Sequence, residues 1–163
     1  MSAVMSAVMS TPTGAAVRPG PESAAALLLR QLGEGLRQDL AAYDGLRQLL
    51  DQQFNAALQH DAARMSGLAD DILTQVAALD VQRARRRELL VALLGSAIEP
   101  SVRALLQRLP ASLAQPLAVQ WRALEQALTS CKALNLRNCE LITEQQALMQ
   151  QLLGREEHVY AQR

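Results

Sequence analysis

Aromatic residues are nearly missing from this chain of 163 residues, which holds one Trp, two Tyr and one Phe. Sheets draw on aromatic and β-branched side chains, so their scarcity turns the reading away from strands. No stretch approaches the roughly 20 apolar residues that a membrane span requires, and no membrane insertion is expected. The N-terminus lacks a basic segment ahead of an apolar run and does not resemble a secretory signal. Charge of one sign is lacking too. Sixteen Lys+Arg balance sixteen Asp+Glu, which leaves no global attraction to nucleic acid or to an acidic membrane.

Cysteine is limited to Cys131 and Cys139 and histidine to His60 and His158. Eight residues apart on one helix, the two thiols would lie roughly 12 Å from each other, beyond the reach of a disulfide. They are expected as buried free thiols in a reducing cytoplasm. The sequence has no Gly-rich phosphate loop, no paired-cysteine zinc motif and no HExxH. His60 sits at an expected helix junction and His158 in a polar tail, both solvated. The pairs Asp70-Asp71 and Glu156-Glu157 are adjacent in sequence and point in different directions on a helix, so neither forms an acid/base dyad. No catalytic residue, metal site or cofactor is expected, and the chain does not read as an enzyme.

What remains is rich in helix formers. Leu and Ala make up about a third of the chain, and both enter helices at little cost. The length fits one domain. Residues 1–21, with the MSAVMSAVMS repeat and a Thr/Pro/Gly-rich stretch, read as a disordered tail, and residues 22–163 as one helical domain. Ser23 is a plausible N-cap. Beyond it Leu29, Leu32, Leu36, Leu40, Tyr43, Leu46, Leu50, Phe54 and Leu58 step by three or four along one face. The stripe breaks at His60-Asp61, restarts at Met65, Leu68, Ile72, Val76 and Leu79, and stops at Gly95, a suitable cap. Pro100, Pro110 and Pro116 limit the middle to short helical pieces such as 101–108. From Leu117 the stripe returns through Trp121, Leu124, Leu128, Cys131, Asn135, Asn138, Ile142, Gln145, Met149 and Leu152, and Gly154 ends it. The predicted fold is all-α: an elongated antiparallel three-helix bundle, or coiled coil, with short helical pieces between the second and third long helices. The last long helix covers about 117–153.

Two surfaces stand out. Arg83, Arg85, Arg86 and Arg87 form the sharpest charge cluster, but no aromatic interleaves it for base stacking, so a structural or protein-interface role is favoured over nucleic acid. The last helix widens its apolar face past Leu128, where Leu134, Leu141 and Leu148 run beside Ile142, Met149, Leu152 and Leu153. Asn135 and Asn138 break into that face. A buried amide costs stability unless it finds partners, so they either pin helix register in the core or belong to a face that receives another helix.

The same residues carry a family resemblance. Trp121-Arg122-Ala123-Leu124, followed by Cys131-Lys132-Ala133-Leu134-Asn135-Leu136-Arg137-Asn138-Cys139-Glu140-Leu141-Ile142, resembles the FlgN-type flagellar export chaperones, with their W-x-x-L and C-x-x-L-N-x-x-N-G-x-L-I pattern. Leu152-Leu153-Gly154-Arg155 with Tyr160 is similar to the family's ending, and Arg87-Glu88-Leu89-Leu90 with Leu94-Gly95 to its second helix. Cys139 departs from the pattern, standing where glycine is usual.

The resemblance implies a cytosolic chaperone that binds the C-terminal helical segments of the hook-associated proteins FlgK and FlgL. It would keep them from premature assembly and deliver them to the type III export gate. It implies Leu134, Asn135, Asn138, Leu141 and Ile142 as cargo contacts. Periodicity adds Leu148, Met149 and Leu152, and Tyr160 is a weaker expectation for gate docking. An exposed leucine face would also permit self-association without cargo. A structural coiled-coil or adaptor protein without a flagellar role is the alternative that the seam alone leaves open.

Overall fold

The computed structural model describes residues 23–161; the tail expected over 1–21 lies outside the described residues. Four helices account for nearly all of the rest: α1 (Ala24–Leu58), α2 (Ala62–Leu94), α3 (Val102–Arg108) and α4 (Ala111–Ala161). Their ends follow local chemistry. Ser23 Oγ accepts from the Ala26 amide at 3.2 Å, Asp61 Oδ1 from that of Arg64 at 3.0 Å, and Ser101 Oγ from that of Ala104 at 3.1 Å. Each satisfies an amide that the first turn leaves without a partner. Gly95 closes α2 at φ 82°, a conformation that disfavours any side chain.

Residues 59–61 alone connect α1 to α2. The amides of His60 and Asp61 return to the carbonyls of Ala57 and Ala56 at 3.1 and 3.0 Å, which is the paired hydrogen bonding of a Schellman cap. That motif needs a left-handed residue after the cap, and His60 supplies it at φ 54°. Asp61 then begins α2 directly.

The last helix differs from the sequence expectation at both ends. It starts at Ala111 and carries Pro116 inside it, and it passes through Gly154 to Ala161. Pro116 removes one backbone hydrogen bond, to the carbonyl of Ser112. That residue is exposed, so its carbonyl is open to solvent and the loss is cheap. Gly154 costs helix propensity of about 1 kcal/mol, which is too little to stop a helix that runs from Ala111 to Ala161. The pair Glu156-Glu157 and His158 therefore sit on a helix and not in a loose tail.

Hydrogen bonds and ion pairs between helices give their directions. Asp39 meets Arg86 and the Ala42 carbonyl meets Gln75, so α2 runs opposite to α1. α4 runs in the same direction as α1. Cys131 Sγ donates to the Tyr43 carbonyl at 3.4 Å, Asn138 Nδ2 to that of Leu50 at 2.7 Å, and Gln145 Nε2 to that of Ala57 at 2.8 Å, always across a separation of 88 residues. Donors and acceptors alike repeat every seven residues, the period of a coiled-coil seam.

Three apolar clusters fill the interior. Leu32, Leu90, Leu94, Val102 and Leu105 join α1, α2 and α3 at one end. Leu36, Leu117 and Leu124 follow, with Trp121 packed against them, and Leu46, Leu50, Leu79 and Cys131 lie farther along. Among the described residues no Cα of α2 comes within 8 Å of a Cα of α4, although both lie along α1 and both approach α3. Cys131 is buried, as expected, whereas Cys139 is exposed. It stands one position past the buried Asn138, where a helix has already turned its side chain away from the seam.

Candidate functional site

The parallel pairing of α1 and α4 ends where α1 ends. Gln145 is the last α4 residue to reach it, through Ala57, and α1 stops at Leu58. The helix nevertheless continues over residues 146–161, about 24 Å of it, and every residue in that stretch is exposed. Leu117, Leu124, Cys131 and Asn138 occupy the α1-facing heptad position and are all buried. The same position continues as Leu152, 59% exposed, and Val159, 63% exposed. The overhang thus carries the seam of a coiled coil with no helix against it among the described residues.

Its neighbours widen the seam into a face. Leu148, Met149 and Leu153 are 61%, 59% and 57% exposed; Leu148 and Met149 stand four and three residues before Leu152, and Leu153 four after Met149, the steps that share one side of a helix. Fully covering an aliphatic side chain of this size contributes about 1.5–3 kcal/mol. Each of these is already partly covered, so a partner helix would gain roughly 1–2 kcal/mol per residue. Tyr160, 77% exposed, is near the end of the same helix.

The expected site residues separate into three groups. Leu148, Met149 and Leu152 are on the open overhang. Leu134, Leu141 and Ile142 are half-buried along the bundle, and Leu134 packs onto the cluster of Leu46, Leu50, Leu79 and Cys131. The two asparagines part company. Asn135 is exposed and lines a cleft facing α2. Asn138 is 1% exposed, and its amide is spent inside the bundle: Nδ2 donates to the Leu50 carbonyl and, at 3.0 Å, to Gln53 Oε1. Its Oδ1 accepts from Arg137 Nε at 3.3 Å. Arg137 in turn pairs with Asp51 at 3.0 Å and lies 3.9 Å over the Phe54 ring. These contacts make Asn138 a fastener between α1 and α4. Leu153 and Val159 were not among the expected contacts, although the heptad count from Asn138 through Gln145 reaches Val159 directly.

The cationic cluster on α2 divides as well. Arg86 is largely buried, pairs with Asp39 and lies 5.6 Å over the Trp121 ring. One side chain thereby ties α2 to both α1 and α4. Burial pushes the Asp39 carboxyl above its ordinary value, against the pull of the Arg86 guanidinium. Burial likewise raises the Cys131 thiol, which keeps it protonated and unreactive. His60 and His158 are exposed and far apart in sequence, and among the described residues no group of three or more His, Cys, Asp and Glu is placed to hold a metal ion.

This apolar face has no partner helix among the described residues, and a face of this kind is a surface on which another amphipathic helix can dock. Among the described residues no helix is long and apolar enough to cross a membrane. No curated protein and no solved structure matches the chain. The FlgN protein family model matches residues 28–154, which takes in α1 from Leu28, all of α2 and α3, and α4 as far as Gly154. A match over most of the chain, with the Trp121 and Asn135–Asn138 pattern inside it, shows that this protein belongs to the FlgN family of flagellar export chaperones.

Proposed function

We propose that this protein is a cytoplasmic chaperone for the hook-associated proteins FlgK and FlgL, and that it receives their C-terminal helical segments on the α4 overhang. The observation that carries the reading is the unpartnered seam at Leu152 and Val159, flanked by Leu148, Met149 and Leu153. A cargo helix laid along it would take up the line of α1 where α1 stops. The half-buried Leu141 and Ile142 lie at the junction, so a longer cargo helix would reach them. Asn138 supports the site by holding α4 in register and does not itself touch cargo.

Covering the apolar segment of a free subunit keeps it from assembling before export. Ordering that segment costs about 2–5 kcal/mol of the gross interaction energy, which holds the affinity in a range compatible with release at the type III export gate. Tyr160, at the exposed end of the helix, is the proposed gate contact. No chemical step is involved, because binding and release are the whole activity.

Isothermal titration of the full chain with purified C-terminal segments of FlgK and FlgL tests this. Saturable binding near one to one is expected, lost in a variant that stops after Gln145. Equal binding by that shortened variant would place the cargo elsewhere on the bundle.

A further inference from the structure

A second unoccupied surface lies on the bundle itself, away from the overhang. Because α2 and α4 stay apart, a cleft runs between them with α1 as its floor. Tyr43, Leu46 and Leu50 line the floor, Ile72, Val76 and Leu79 the α2 wall, and Leu128 and Asn135 the α4 wall. This apolar part encloses about 230 Å³. Toward α3 the cleft continues into a compartment of about 430 Å³ that shares Asp80 and Arg83 with the first and adds Arg87 and Trp121. Ser101 and Val102, at the start of α3, close its far end.

The charge along this cleft is one-sided. Arg83, Arg86, Arg87 and Lys132 line it against Asp80. Arg86 is committed to Asp39 and Trp121, but the other cations are held weakly. Arg83 reaches Asp80 at 3.4 Å and Arg87 reaches Glu99 at 3.5 Å, with all four side chains more than half exposed. Solvated pairs of this kind contribute little and exchange readily for an incoming carboxylate. From Ile72 to Arg87 the groove is about 22 Å long, room for roughly four helical turns.

We infer that this cleft is a docking site for an acidic amphipathic helix of a partner protein. Apolar side chains of that helix enter between Leu46 and Val76, and its carboxylates meet Arg83, Arg87 and Lys132. The inference goes beyond the cargo reading and does not rest on it, since the two surfaces share no exposed residue. It also gives a role to the arginine cluster, which the overhang does not use.

The test uses the full chain and two designed, fluorescently labelled four-turn peptides. They carry leucines at the same helical spacing and differ only in having glutamates or lysines on the flanks. Neither contains tryptophan, so emission from Trp121, the one tryptophan of the chain, reports occupancy. The glutamate peptide is expected to bind at least about tenfold more tightly than the lysine peptide and to shift Trp121 emission. The preference should reverse in R83E/R87E and binding should weaken in V76D, with helicity retained in both by circular dichroism. L152D should bind the glutamate peptide normally, even if it has lost FlgK and FlgL segments. Absence of binding, indifference to the sign of the flanking charge, or loss in L152D instead of V76D would overturn the inference. So would polyuridylate that displaces the peptide through Arg83 and Arg87, because the rim would then be a nucleic-acid surface.

Discussion

Asn138 Nδ2 lies 2.7 Å from the carbonyl oxygen of Leu50, 88 residues earlier in the chain. Cys131 and Gln145 repeat that relationship one heptad before and one heptad after it, onto Tyr43 and Ala57. A slip of α4 by three residues would set Leu134, Leu141 and Leu148 opposite the three carbonyls and take the amide of Asn138 away from its partners. The ladder therefore fixes where α1 stops relative to α4, and with it how much of α4 is left without a partner.

Asn138→Ala removes a buried, fully bonded amide and leaves a small void. We expect a loss of about 2–3 kcal/mol in urea unfolding. Binding of FlgK and FlgL segments should be unchanged at temperatures where the variant is folded. A variant of normal stability that no longer binds would make Asn138 a cargo contact.

Leu152→Asp and Val159→Asp should behave in the opposite way. Both positions are more than half exposed, so stability should move by less than about 0.5 kcal/mol. Cargo binding should fall at least about tenfold, because each substitution puts a charge into the proposed apolar contact. Titration calorimetry read beside thermal unfolding separates the two effects.

The contrast between these residues shows what was legible in the sequence. The all-helical class, the Ser23 and Gly95 caps and the short piece after Ser101 followed from local signals, since each depends on a few neighbouring residues. The widened face past Leu128 was legible as well. What a single periodic stripe does not encode is which side meets which helix. Asn135 and Asn138 step along the same stripe, yet one lines an open cleft and the other is buried, because only the 88-residue register decides. The end of α4 differs from the expectation for a local reason: Gly154 costs only about 1 kcal/mol of helix propensity, and the helix runs through it to Ala161 although α1 no longer packs there.

The Asp39–Arg86 pair makes a prediction of its own. Arg86→Ala leaves the Asp39 carboxylate buried without a partner, and breaking such a pair costs about 3–5 kcal/mol. D39L/R86M, which replaces both partners by apolar side chains, should recover most of that loss. The pH dependence has a defined sign. The folded state holds the Asp39 proton more tightly than the ordinary value of 3.8. Its contribution is therefore largest below pH 3.8 and is lost as pH rises from there through the folded value. Asp39→Asn should abolish that slope, as followed by urea unfolding across the acid range.

His60 offers a test of the turn. Its φ of 54° costs a side chain about 1–2 kcal/mol that glycine does not incur. His60→Gly should raise stability by about 0.5–1 kcal/mol after the extra freedom of the unfolded chain is subtracted. A lower melting temperature would mean that the exposed imidazole contributes more than its backbone costs.

The central claim is that residues 146–161 are a helix face waiting for a partner, and hydrogen exchange measures this directly. In the free protein the amides of 117–145 should exchange slowly, behind the packing of α1, and those of 146–161 rapidly. Adding a FlgK or FlgL C-terminal segment should slow exchange over 146–161 and leave the α2 wall of the cleft, 72–87, as it was. Unchanged exchange over 146–161 in the saturated complex, or protection that appears over 72–87 instead, would contradict the account.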